Sequence, residues 1–460
     1  MNELKKKYGL LTAICMVVGI VIGSGIFFKA TPVFTNNGGN MLNSILTVLT
    51  VGALMTTCAY TFSILARKYS KVNGIVDYAE AEVGNGLAYA LGWFISVIYY
   101  PIIASTLAWV SANYTCSLFE INNANIRLLI TASYLTLSFL LNIVSPRISG
   151  RFQVSTTFIK LIPLLVMAIV GTVVGISNGQ TLENLTADTV ALTETSGSFF
   201  GAIVAFAFAY EGWIIATCIN AELHDAKKNL PKALIIGTLI VISVYIAYFV
   251  GIASVLSTKE IMDAGDNLPK IAFTKLFGGN EVFGTIAYVF IIISCLGTMN
   301  GVTIGNCRGL YSLAVRNQGP APKKLAKLHD KWNMPVLSAA IGYAISVVWM
   351  LQWEFGLIRG KLPAIISWEN DELPIITLYA LYIPIFLSMM IKAKDLHPVK
   401  RFVFPAISVA ACLFMIFCAF YSYKIQALYY LFIFALIMLI GLMFYRDKKG
   451  RSIIYKFFYK

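Results

Sequence analysis

The feature that most constrains this chain is the recurrence, from Tyr8 to Tyr445, of apolar runs long enough to cross a bilayer. A hydrocarbon core about 30 Å thick needs roughly 17–25 residues of helix, and every backbone polar group inside it must be satisfied within the protein. Twelve such spans can be placed, at 9–35, 41–66, 86–118, 126–146, 150–176, 198–221, 233–256, 281–314, 336–353, 373–392, 402–422 and 425–445. Of the 460 residues, 58% are hydrophobic and only 13% charged, about half the charge of a soluble domain. The expected class is an all-α polytopic membrane protein, read as a single domain over 1–460.

The formal net charge of +14 would point to nucleic acid in a soluble chain. Here it is explained by topology. With both termini on one side, alternate loops collect Lys5, Lys6 and Lys7, then Arg67, Lys68 and Lys71, then Arg147 and Arg151, then Lys227, Lys228 and Lys232. The later loops and the tail bring the total to 26 of the 36 Lys and Arg residues. The opposite loop 178–197 carries Glu183, Asp188 and Glu194 and no Lys or Arg. The positive-inside rule then places both termini in the cytoplasm. The first span is too long for a signal peptide and lacks a clear small-residue cleavage site, so it is expected to be a retained helix. No loop is long enough to house an appended domain.

Metal, redox and nucleophile chemistry have no visible basis. The cysteines lie within or beside apolar spans and form no CxxC pair, and His224, His329 and His397 are scattered in basic loops. No cofactor, metal or catalytic residue is expected, and a membrane enzyme is disfavoured.

Three features inside the spans are expensive and need a reason. The first is Gly19-Ile-Val-Ile-Gly23-Ser24-Gly25-Ile26-Phe27, where close glycines weaken the helix at mid-membrane depth. An unwound turn there is tolerated where it lines a protein cavity. It presents N–H groups to a carboxylate and carbonyls to an ammonium, which suits a zwitterion, although Gly19-x-x-x-Gly23 is equally a helix-packing spacing. The second is Phe208-Ala-Tyr-Glu211-Gly-Trp213, with a carboxylate halfway along span 6 at an insertion cost on the order of 2.5–3.5 kcal/mol. Spans 1 and 6 each open a set of five, and paired breaks at corresponding positions point to a midplane site. The third is Lys160, nine residues beyond Arg151 and too deep to snorkel comfortably. It must find carbonyls, a carboxylate or water, or give up its proton. Arg308, near the end of span 8, reads as structural.

These motifs, in this order and spacing, resemble the amino acid–polyamine–organocation superfamily, and within it bacterial relatives of the L-type amino acid transporters. Val21–Phe27 is similar to the first-helix signature and Phe208–Trp213 to the sixth. Ala221–Lys232, Leu296–Val302 with Arg308, and Asp371–Tyr379 are similar to later segments. The resemblance covers nearly the whole chain. It implies a LeuT-type 5+5 inverted repeat with broken helices 1 and 6, the repeats spanning 9–176 and 198–392 and helices 11 and 12 spanning 402–445. It places substrate among Val21, Gly23, Ser24, Gly25, Ile26, Phe208, Ala209, Glu211 and Trp213. The carboxylate falls on N–H groups around Ser24 and Gly25, the ammonium on carbonyls at Val21, Phe208 and Glu211, and the Phe208 ring closes over both. Lys160 matches a lysine standing at a sodium site in sodium-independent members, with Tyr245 as a partner. The loop Glu120–Asn125 has no cysteine to bind an ancillary glycoprotein, and Cys116 is a poor substitute.

The expected function is sodium-independent exchange of neutral L-amino acids in a bacterial inner membrane, without an ancillary heavy subunit. Proton-coupled symport, cationic substrates through Glu211, and amino acid sensing stay open as alternatives.

Overall fold

The computed structural model describes residues 5–23, 25–69, 71, 73–186 and 198–446, apart from the side chains of Phe28 and Phe208. Among the described residues the secondary structure is helical, except for an isolated bridge between Tyr8 and Leu223. Among those residues, eleven helices are long and apolar enough to span a membrane. The remaining expected span is interrupted, which brings the total to twelve.

In chain order, α1 is Leu10–Val21, resuming at Gly25–Phe28, and α2 is Met41–Lys68. Next come α3 (Asn85–Leu118), α4 (Ala124–Val144) and α5 (Pro146–Ser177). The α6 span is Phe199–Ala207, followed by 3-10 turns Phe208–Tyr210 and Trp213–Glu222. Then follow α7 (Ala226–Val255), α8 (Glu281–Ala314), α9 (Val336–Ile358), α10 (Leu373–Lys392), α11 (Val399–Tyr423) and α12 (Ile425–Met443). Local chemistry sets several of these ends. Asn40, Asn123 and Asn280 accept backbone N–H bonds as N-caps of α2, α4 and α8, and Pro146 opens α5, where its missing N–H costs nothing. The α7 helix starts at Ala226 rather than 233, because the basic stretch with Lys227, Lys228 and Lys232 is already helical.

The α1 helix runs through the centre, touching α5, α6, α7 and α8. Corresponding helices of the two sets meet pairwise, α1 with α6, α2 with α7, α3 with α8 and α4 with α9. That is the LeuT-type arrangement. Leu428, Phe432, Leu436, Leu439 and Ile440 of α12 are exposed, as apolar side chains facing lipid tails would be.

Lipid offers helices no hydrophobic reason to associate, so close backbone approach matters more. The tightest case joins α5 to α7. A π-turn over Met167–Gly171 brings the α5 backbone against Gly251, where a Cβ would lie 2.2 Å from the Met167 carbonyl oxygen. A Cβ on Gly175 would lie 2.1 Å from the Ser254 carbonyl oxygen. Backbone cannot rotate aside as a side chain can. Gly251→Val is therefore expected to lower stability by about 1–3 kcal/mol, the usual cost of overpacking. Gly86→Ala, with open space around its Cβ, is expected to be neutral. Thermal unfolding of the detergent-solubilised variants measures both.

Candidate substrate site

The site is built where α1 stops. Helical bonding ends at Val21, and Ile22 turns into extended conformation at φ −73°, ψ 92°, leaving carbonyls that the next turn does not reach. Lys160 of α5 supplies their donors. Its Nζ donates to Gly19 O at 2.7 Å, to Ile22 O at 2.6 Å and to Thr298 Oγ1 at 3.0 Å, so each of the three ammonium hydrogens has an acceptor. Thr298 of α8 also lies 3.0 Å from Gly19 O. All of these acceptors are neutral, and the negative end of the first half-helix dipole faces the cation.

Tyr245 was expected to partner Lys160, and here the structure differs. Its hydroxyl lies 2.9 Å from Val21 O and 2.8 Å from Ala209 O. It therefore bridges the two broken helices, because the unwound turn aims successive carbonyls in different directions. Lys160 and Tyr245 grip the same turn separately.

The breaks in α1 and α6 rest on each other through glycine. Gly212 adopts φ +103°, a left-handed conformation natural to glycine, and a Cβ there would lie 2.5 Å from Ile20 Cγ2. A Cβ on Gly25 would come within 2.5 Å of Ala209 Cα. The second half of α6 continues as 3-10 helix for ten residues, longer than such runs usually persist and a mark of strain or a hinge.

Between the breaks lies a cavity of about 20 Å³, room for roughly one water. Its walls are Ile20, Val21, Gly23 and Gly25 of α1, Tyr99, Ile103 and Leu107 of α3, Glu211 and Gly212 of α6, and Thr298 and Val302 of α8. Of the residues expected from sequence, Val21, Gly23, Gly25 and Glu211 line it. Ile26 and Ala209 are buried beside it without lining it. Trp213 packs away from it, with ring centroids 5.9 Å from Phe62 and 6.2 Å from Tyr382. Ser24 and the Phe208 side chain lie outside the described residues.

Buried charges tie both ends of this region. On the face carrying the chain ends, Arg308 Nε donates to Glu222 Oε1 at 2.5 Å, and Lys7 Nζ lies 3.3 Å from Glu222 Oε2. The Lys7 and Tyr8 backbone N–H groups bond to Glu222 O, so the segment before α1 is strapped to the end of α6. Arg308, near the end of α8, is buried and paired with Glu222 rather than lining the cavity. On the opposite face Lys29 Nζ lies 2.8 Å from Asp371 Oδ2 and 2.5 Å from Glu372 Oε1, while Tyr423 donates to Glu372. Burial and the charge of Asp371 push the Glu369 carboxyl above its ordinary range. Lys29, Thr298 and Tyr99 were not anticipated. For Lys29 the available signal was a charge near the end of an apolar run, and for Thr298 its place within Leu296–Val302; for Tyr99 there was none.

This is a multi-pass membrane transporter, with two broken helices meeting at a buried polar site. The chain belongs to the amino acid permease family, whose model matches residues 8–444, and it is an L-type-like member of the amino acid–polyamine–organocation superfamily that transports amino acids. It is 29% identical over 400 residues to the serine/threonine exchanger SteT of Bacillus subtilis (strain 168), covering 87% of this chain and 86% of that one. It is 26% identical over 430 residues to the cystine/glutamate transporter of Homo sapiens, covering 91% and 81%. It is 30% identical over 358 residues to Asc-type amino acid transporter 1 of Mus musculus, covering 76% and 65%.

The Lys160 contacts carry a direct consequence. Lys160→Met leaves Gly19 O and Ile22 O without these donors in a dry interior and is expected to lower initial uptake at least tenfold. Thr298→Val, which removes only one of the linked groups, is expected to cost less. Labelled amino acid uptake into proteoliposomes, normalised to folded protein, measures the ranking.

Proposed function

We propose that this protein is a sodium-independent exchanger of small neutral L-amino acids, working by alternating access between the two ion-paired ends. The observation that carries this reading is the Lys160 ammonium held by Gly19 O, Ile22 O and Thr298 Oγ1. A tethered ammonium at the broken turn supplies what a bound sodium ion would otherwise supply, so the turn keeps its shape without one. The cavity sets the apolar side chains of Ile103, Leu107 and Val302 beside Val21 and Gly25 at the break, with one carboxylate across from it. Those features suit a zwitterion with a short side chain. Two similar proteins are named for serine/threonine exchange and Asc-type amino acid transport, which is consistent with that size.

The roles of the remaining pieces follow. The substrate carboxylate meets N–H groups where α1 resumes, around Ser24 and Gly25, and the ammonium meets carbonyls at Val21, Phe208 and Glu211. Ile26, Ala209 and Trp213 hold the two breaks in shape. The repeats are 9–176 and 198–392, with 402–445 outside them. The basic loops put both termini in the cytoplasm, in a bacterial inner membrane. Transport is unaccompanied by catalysis or an ancillary heavy subunit, Cys116 being buried.

One observation favours a second reading, proton-coupled symport. Lys160 and Glu211 are both buried, and neither forms an ion pair among the described residues, so either could exchange a proton during the cycle. One experiment separates the two. In the absence of sodium and of a pH gradient, labelled alanine is expected to enter vesicles preloaded with alanine several-fold faster than empty ones. Equal rates, with accumulation appearing once an inward proton gradient is imposed, would establish the symporter instead.

A further inference from the structure

We infer that Asn300 is a positioning residue for transport, setting the register of α5 against α8 and with it the place of the Lys160 ammonium on the broken turn. This inference rests on the proposed amino acid exchange through that turn.

Lys160 cannot fix its own position. Its stem is long and flexible, and its three hydrogen bonds hold only while the α5 backbone stands at the right height and rotation. Lipid supplies no such constraint, so contacts between helices must. The α5 face that carries Lys160 also carries Ser149, Gln153, Thr156 and Thr157, at the spacing of one helical face, and all are buried. Small residues let that face come close. A Cβ on Gly297 would lie 2.4 Å from Thr156 Oγ1, and one on Gly19 would lie 2.1 Å from Thr157 Oγ1.

Asn300 of α8 sets the height at which the helices meet. Its Oδ1 lies 3.0 Å from Asn142 Nδ2 and 3.0 Å from Ser149 Oγ. Its Nδ2 donates to Ser149 O at 3.2 Å and to Gln153 Oε1 at 3.2 Å. Ser149 Oγ also lies 2.7 Å from Asn142 Oδ1, so α4, α5 and α8 converge on one amide. Sliding α5 by a single residue would break all of its bonds to Asn300 together. The same amide bears on both sides of the Lys160 contact. Lys160 is seven residues beyond Gln153 on one stiff helix, about 10 Å away, and Thr298, which takes one ammonium hydrogen, is two residues before Asn300. Gln153 in turn lies against Gly19, where a Cβ would be 2.7 Å from its Nε2, and Gly19 O takes another of those hydrogens.

The test is a double-mutant cycle read by labelled alanine exchange in proteoliposomes, normalised to folded protein, beside thermal unfolding. Asn300→Leu alone is expected to slow exchange roughly fivefold, the loss expected from one misplaced polar contact. In Lys160→Met, which has no ammonium to place, the same substitution is expected to slow exchange by less than about twofold further. Its cost in unfolding temperature is expected to be equal in both backgrounds, since a structural contribution does not depend on the ammonium. A full repeat of the slowing in Lys160→Met would overturn the inference, and so would unchanged exchange in Asn300→Leu alone. Absence of exchange in the wild type would overturn the transport reading instead. If Asn300→Leu does not fold, Gln153→Met enters the same cycle with the same expectations. If Lys160→Met is too slow to compare, Thr298→Val serves as the background, and a slowing repeated there in full counts against the inference.

Discussion

The structure depends on one lysine. A helix that stops in mid-membrane leaves carbonyl oxygens that neither lipid nor the next turn can satisfy, at a cost of several kcal/mol each. Lys160 meets two of them, Gly19 O and Ile22 O, and reaches Thr298 with its third hydrogen. Among the described residues it does so without a carboxylate, its charge being met by backbone and hydroxyl dipoles. The break in α1, the cavity beside it and the contact of α1 with α5 and α8 all rely on that arrangement. Tyr245 extends the same logic to Val21 O and Ala209 O, which ties the break in α1 to the one in α6.

How much of this could be read from the sequence depended on whether a residue looked out of place. Glycines at 19, 23 and 25, Glu211 beside Gly212, and Lys160 within span 5 all violate what an apolar helix prefers, and each was legible for that reason. The spans were legible because twelve apolar runs leave few alternatives. Tyr99 was not, since tyrosine is not unusual in a membrane helix and its partner, Glu211, lies 112 residues away. Thr298 was marked only by its place within Leu296–Val302, its partner being 138 residues away. Lys29 sat at the end of an apolar run, where a lysine ordinarily reaches for the interface. Its actual partner, Glu372, is 343 residues distant. Trp213 follows Gly212, whose left-handed turn sets its ring against Phe62 and Tyr382.

The ion pairs at the two ends suit a molecule with alternative arrangements. A buried pair contributes little net stability, because desolvation offsets attraction, but stranding one member is costly. Such pairs act less as glue than as conditions on which conformations are allowed. Arg308 and Glu222 join α8 to the end of α6, with Lys7 bringing the segment before α1 into the same group. Lys29 joins the segment just beyond the resumed α1 to Asp371 and Glu372 ahead of α10. Both groups are formed here, and the cavity between them is about 20 Å³. In the proposed alternating-access cycle, admitting an amino acid would have one group separate while the other holds.

The contacts between the breaks explain how substrate could make that choice. Gly212 lies against Ile20 and Gly25 against Ala209, each too close for a Cβ to fit without displacement. Movement at one break is therefore transmitted to the other by contact, most directly where Gly25 meets the Ala209 backbone. A substrate whose carboxylate lies at α1 and whose ammonium lies at the α6 carbonyls touches both. Its binding energy can then be directed to the geometry in which the two breaks, and the ion pairs beyond them, shift together. A ligand can move such an equilibrium only by its differential affinity for the two arrangements. An amino acid that touches both breaks has more contacts that can differ between the two arrangements than one that reaches a single break.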